Sequence, residues 1–293
     1  VAIDRPDFKG REMILKVHAR NVVLSDNVSL ARVAATTPGF VGADLANIVN
    51  EAALRAARLK KASVEMQDFE DAIDRIVGGL ERRTRLINDE EREAVAYHEA
   101  GHAIIAHLRP GADPVSKVSI IPRGVAALGY TQQTPAEDRY LLRKSELLDR
   151  LDVLFGGRAA EDLIYGDVST GAHNDLQRAT VMARQVVMRY GMNESVGLAS
   201  LEPSPHSFLN VATTGPREYS ERTAQLVDDE VRKMLAEAYE RTRASLRQHR
   251  AELEEIAQLL LEKEVIHGNQ LEAVMGDKPP RSIARLERPE HLI

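Results

Sequence analysis

Residues 89–108 impose two demands that few folds meet together. Ala94, Val95, Ala96, Ala100, Ala103, Ile104 and Ile105 make this stretch apolar on most sides and therefore a helix to be buried. The same stretch carries His98, Glu99 and His102, and buried imidazoles and carboxylates need partners. Its boundaries are legible. Asn88 is a good N-cap with Glu91 three positions on, a capping-box spacing, and Pro110-Gly111 stops the helix. Histidines four apart project from one face, about 5–6 Å apart at Cβ, so both can reach one zinc ion. Glu99 sits one residue round from His98, placed to take a proton from zinc-bound water without displacing it. The pattern His98-Glu99-Ala100-Gly101-His102 thus points to metal-assisted peptide hydrolysis.

Catalytic zinc takes a third protein ligand and keeps one position open. The segment Ser169-Thr170-Gly171-Ala172-His173-Asn174-Asp175-Leu176, at the start of a helix, supplies the best candidates. Asp175 shares a face with Ala179, Met182, Ala183 and Val186, and a carboxylate on an apolar face needs a cation or strong donors. His173 points further round. Glu161, in Gly156-Gly157-Arg158-Ala159-Ala160-Glu161, is the third candidate, so the order is Asp175, His173, Glu161. A carboxylate in a first helical turn also balances the helix dipole, which is the competing account of Asp175.

The rest of the 293 residues divide into two regions. Helical periodicity covers Gly10–Arg20, Ser29–Ala35, Ala43–Lys60 and Glu65–Ile76, a four-helix unit ending at Gly78-Gly79. An Arg-rich link, Gly78–Leu86, leads to the second region. There Val115–Ile121 and Gly129–Gln133 are the only strand signals. Helices are expected over Lys144–Tyr165, from Thr170-Gly171 to before Gly191, and through the charged stretch Pro216–Met275. In that stretch Leu226, Val231, Met234, Leu235 and Ala238 form one apolar stripe, which packs on its own domain or on a neighbouring subunit. A tail with Pro279, Pro280 and Pro289 is expected to be mobile.

Composition narrows the function. There is no Cys, so disulfides and thiolate metal sites are excluded. Net charge is −6, with no Trp and 4% aromatic residues, which argues against a nucleic-acid partner. No run of about 18 apolar residues is present. Because Val1–Phe8 reads as the end of one element followed by a turn, the chain is expected to be part of a longer protein.

Three stretches, His98–His102, Phe155–Glu161 and Ser169–Gly171 with Asn174-Asp175-Leu176, resemble the FtsH-type ATP-dependent zinc metalloproteases. Asp4-Arg5-Pro6-Asp7, Gly10-Arg11-Glu12, His18-Ala19-Arg20 and Pro38–Leu45 are similar to the helical lid of that family's AAA ATPase module. The resemblance covers nearly the whole chain. It implies a mainly α fold: an AAA lid over residues 1–79, a mostly helical zinc peptidase domain with a small β element over 80–276, and a tail over 277–293. It implies Zn2+ held by His98, His102 and Asp175, Glu99 as general base, and ATP or ADP against Ile14, His18, Gly42 and Ala43. It further implies a homo-hexamer that degrades unfolded or membrane proteins, anchored by N-terminal membrane segments, with this soluble portion in the cytoplasm. The chain has no GxxxxGK[ST] loop, so it should not hydrolyse ATP alone.

Two further expectations stand beside these. Val118–Ile121 or Gly129–Gln133 could be an edge strand beside the zinc helix, to which a peptide adds by backbone pairing. The alternative function is a non-catalytic oligomerisation module whose zinc is structural, closed by four protein ligands.

Overall fold

The computed structural model describes residues 4–79, 88–122, 128–134, 141–202 and 219–281. The elements in chain order are α1 (Phe8–His18), α2 (Leu30–Ala35), α3 (Gly42–Arg58), α4 (Met66–Gly78), α5 (Asp89–Leu108), β1 (Val115–Ser119) and β2 (Tyr130–Gln133). Then come α6 (Lys144–Leu154), α7 (Gly156–Tyr165), α8 (His173–Arg184), α9 (Glu221–Gln248), α10 (Arg250–Lys263), β3 (Val265–His267) and α11 (Gly268–Met275). The mainly α class with a small β element is what the sequence implies. The Arg-rich link over 80–86 and the tail beyond residue 281 lie outside the described residues.

The chain gathers into two compact units. The first holds residues up to Ala100, 113–142 and 251–271. Its helices start where short polar side chains replace missing backbone acceptors. Asp7 accepts from the Gly10 N–H, Ser29 from Arg32, Asp44 from Val41 and Asn88 from Glu91. Leu15, Val33, Leu45, Ile48, Ala52, Phe69 and Ile73 form the core of α1–α4. Charges buried there have their partners supplied. Arg11 donates to the carbonyls of Ala34 and Pro6. Asp68 accepts from Lys61 and the Glu65 N–H.

The sheet of this unit has order β2-β1-β3, antiparallel throughout. Lys117 pairs with Gln132 and His267, and Val118 with Thr131 and Ile266. β3 is an addition to the sequence expectation of two strands. Three residues between helices are too few to show a period of two, and only pairing with β1 draws them into a strand. β1 is therefore the central strand, which removes Val118–Ile121 as an edge; among the described residues β2 is at the edge.

The second unit holds residues 101–112, 143–250 and from 272 on. One helix was expected over Lys144–Tyr165, but the structure breaks it at Phe155 (φ −88°, ψ −6°) into α6 and α7. The reason is tertiary. Gly156 lies directly against the α5 backbone, where a Cβ would meet Gly101 O at 2.7 Å and His102 Cα at 2.7 Å. Phe155 turns edge-on to Tyr239, ring centroids 5.7 Å apart. α8 runs into a π-turn at Gln185–Arg189. The buried stripe of α9 is Val227, Val231, Met234, Ala238, Thr242 and Leu246; it includes the expected Val231, Met234 and Ala238, while the expected Leu226 and Leu235 are half-buried at its margin. It packs on α6, α7 and α8 of its own unit. The last turn of α5 is closed by Lys278, which donates to the carbonyls of Ala106, His107 and Arg109, matching a cation to the negative end of the helix.

Candidate metal centre

His102 is the best-defined member of the site. Its Nδ1 lies 2.7 Å from the Val153 carbonyl oxygen. A carbonyl only accepts, so Nδ1 carries the proton and Nε2 presents its lone pair. That Nε2 is 3.3 Å from Asp175 Oδ2. Two ligands at about 2.0–2.1 Å from a tetrahedral zinc lie about 3.3 Å apart, so this spacing is the edge of such a site. His98, one turn earlier on α5, adds a third donor, and all three ligand atoms fall within 4.8 Å of one another. Two neutral imidazoles and one carboxylate form a donor set suited to zinc. Among the described residues this is the one such group.

Of the three candidate third ligands, then, the structure brings Asp175 to the histidines. His173, first residue of α8, is exposed and stands outside the group. Glu161 is buried and serves the backbone instead: it accepts from the Ser169 N–H at 2.6 Å. Ser169 in turn accepts from the Gly171 N–H, so Glu161 anchors the turn that leads to Asp175.

Glu99 is 7% exposed. Its Oε2 accepts from the Thr131 hydroxyl at 2.8 Å. A Cβ at residue 129 would lie 2.8 Å from both Glu99 Cγ and Oε1, so β2 reaches Glu99 because Gly129 has no side chain. Sequence patterns did not single out Thr131, Gly129 or the Val153 carbonyl. For Thr131 the available signal was its place in a strand signal beside the metal helix; a backbone carbonyl leaves no signal at all.

The Val153 carbonyl is itself fixed. The neighbouring Asp152 carboxylate, 2% exposed, accepts from Arg109 Nε and Arg241 Nη2, each at 2.8 Å, and the Thr242 hydroxyl donates to the Asp152 carbonyl at 3.0 Å.

The four residues proposed to face a nucleotide lie on α1 and α3, which pack together. Ile14 is partly buried against the core, and His18 is exposed at the end of α1. Gly42 opens α3 with empty space where a Cβ would be, and Ala43 is exposed.

A helix carrying two histidines and a glutamate, with an aspartate from a second helix completing three ligands, defines the class of zinc metallopeptidases. The family model for Peptidase family M41 matches residues 85–274, and that for the AAA+ lid domain matches residues 27–71. This chain belongs to peptidase family M41. It is 61% identical over 297 aligned residues to the ATP-dependent zinc metalloprotease FtsH of Ralstonia pickettii, covering 98% of this chain and 41% of that protein. It is 56% identical to the protein of that name from Burkholderia pseudomallei (95% of this chain, 42% of that one). Against the Thermotoga maritima protein of the same name it is 47% identical, covering 95% of this chain and 46% of that one. The chain thus spans about two fifths of the length of the first two. No helix among the described residues is long and apolar enough to cross a membrane.

Proposed function

We propose that this chain is a zinc-dependent endopeptidase in which His98, His102 and Asp175 hold the metal and Glu99 is the general base. The observation that carries it is the 3.3 Å spacing of His102 Nε2 and Asp175 Oδ2, with the His102 tautomer set by Val153. Bound zinc supplies a Lewis acid for the peptide carbonyl and lowers the pKa of water towards about 7. Glu99 takes the proton of the attacking water and returns it to the leaving amine. Three protein ligands leave a position for substrate, which distinguishes a catalytic from a structural site. β2, at the sheet edge and in contact with Glu99, offers backbone groups to an extended peptide, which gives cleavage with little sequence preference.

We extend the reading to the rest of the chain and to the longer protein, with membership of the family and the AAA+ lid match as its support. Residues 1–79 act as the AAA lid, 80–276 as the peptidase domain and 277–293 as a tail. Ile14, His18, Gly42 and Ala43 face ATP or ADP in the longer protein. That protein is a membrane-anchored homo-hexamer, with this portion in the cytoplasm, that unfolds polypeptides with ATP and delivers them to the zinc site.

The test is hydrolysis of casein and of a short unstructured peptide by the zinc-loaded chain, paired with Glu99→Gln. The expected result is equal zinc in both proteins and a loss of about 10²–10⁴-fold in kcat for the variant. Equal zinc with no peptide cleavage by either protein would overturn the peptidase assignment in favour of a structural metal.

A further inference from the structure

The edge strand β2 touches the base directly, and this contact has a consequence for how Glu99 works. Thr131 Oγ1 lies 2.8 Å from Glu99 Oε2 and 3.3 Å from the Glu99 backbone carbonyl oxygen. A hydroxyl has one proton and here two acceptors, a carboxylate and a helix carbonyl of the same residue. The bond to the carboxylate is the shorter of the two and is charge-assisted.

The strand is held so that this contact persists. Successive residues of a strand point to opposite faces. Thr131 points to α5. On the other face the Tyr130 hydroxyl donates to Asp74 Oδ2 of α4 at 3.2 Å, and Lys117 of the adjacent β1 pairs with the same carboxylate. Gly129 completes the arrangement, because any side chain there would collide with the Glu99 carboxylate and with Ser119 O at 2.9 Å.

We propose that Thr131 is a positioning residue for the general base, holding the Glu99 carboxylate in its reactive orientation through its hydroxyl. This rests on the assignment of Glu99 as the base. The hydroxyl is not itself a base at neutral pH, and it touches the proton acceptor rather than the metal. Its removal should therefore slow turnover and leave metal content unchanged.

The test compares wild type, Thr131→Val, Thr131→Ser and Glu99→Gln in the zinc-loaded chain, using a short fluorogenic peptide, with bound zinc and thermal melting recorded for each. Thr131→Val preserves shape and removes the donor. It should retain stoichiometric zinc, keep KM within about twofold and lose about 10- to 100-fold in kcat, while Thr131→Ser recovers to within about threefold of wild type. Gly129→Ala, which crowds the same carboxylate, should also lower kcat at full zinc occupancy. A Thr131→Val variant with wild-type kcat, a defect confined to KM, or a Thr131→Ser variant as slow as Thr131→Val would overturn the positioning role while leaving Glu99 as base. Wild-type activity that survives Glu99→Gln would overturn the base assignment and this proposal together.

Discussion

Replacing Gly156 by Ala tests whether the close approach of α5 and α7 sets both the stability of the second unit and the metal site. Gly156 has no positive φ, so alanine is allowed by the backbone, and helix propensity favours it over glycine by up to about 1 kcal/mol. Against that, the new Cβ would sit 2.7 Å from Gly101 O, 2.7 Å from His102 Cα and 2.8 Å from Gly101 C. All three are backbone atoms, which cannot rotate away. Ordinary contact would require α5 and α7 to part by about 0.7 Å or more, an overpacking that costs about 3 kcal/mol at the upper end of the usual range. The net is a destabilisation of about 2 kcal/mol, or about 4–8 °C in Tm for a unit of this size. Because the displaced atom is His102 Cα, the metal site moves too, and zinc sites tolerate about 0.2 Å in bond length. Zinc affinity, measured by competition with a chromogenic chelator, should fall about 10- to 100-fold. Melting with and without zinc separates the two effects. A Gly156→Ala protein with Tm equal to or above wild type and unchanged zinc affinity would refute the reasoning, since propensity alone gives that result.

Asp152→Asn keeps the shape but removes the charge shared by Arg109 and Arg241, and should destabilise the protein by about 2–3 kcal/mol in urea titration. It should also weaken zinc binding, because the adjoining Val153 carbonyl fixes the His102 tautomer. His107 is buried, its Nε2 has no hydrogen-bond partner among the described residues, and burial, aided by the Lys278 ammonium, lowers its pKa. The unfolded chain takes up this proton near the ordinary value of about 6.5 while the folded protein resists until lower pH. Stability is therefore full above about pH 6.5 and declines as pH falls towards the lowered folded value. His107→Gln should flatten the stability difference between pH 7 and pH 5, measured by urea unfolding at each; an unchanged slope would count against it.

Much of the site could be seen in the chain itself because its determinants are local. The spacing of His98 and His102 on one helical face, the Asn88 cap and the apolar positions around them are fixed by a 3.6-residue period. Asp175 came first among three candidates for a similar reason, its place on the apolar face of α8. Elements whose identity depends on distant partners were legible only in part. α6 and α7 read as one helix because nothing between residues 144 and 165 shows that α5 passes against Gly156. β3 has too few residues to carry a pattern and exists through pairing with β1. The stripe on α9 was visible as apolar, but its partners were not, since an apolar face records a need for burial and not what covers it.

The division follows from the range of the interactions. By itself the sequence determined where the capped helices start, which residues could bind a metal and which acid stood beside them, because capping, periodicity and donor chemistry act over one or two turns. Tertiary structure alone decided which carboxylate met the histidines and which imidazole nitrogen kept its proton. It also decided that β2 rather than β1 forms the edge, and that Thr131 reaches the Glu99 carboxylate. Those outcomes depend on atoms more than 30 residues apart brought within 3.5 Å, or on a backbone carbonyl, which every residue possesses and no sequence pattern can single out.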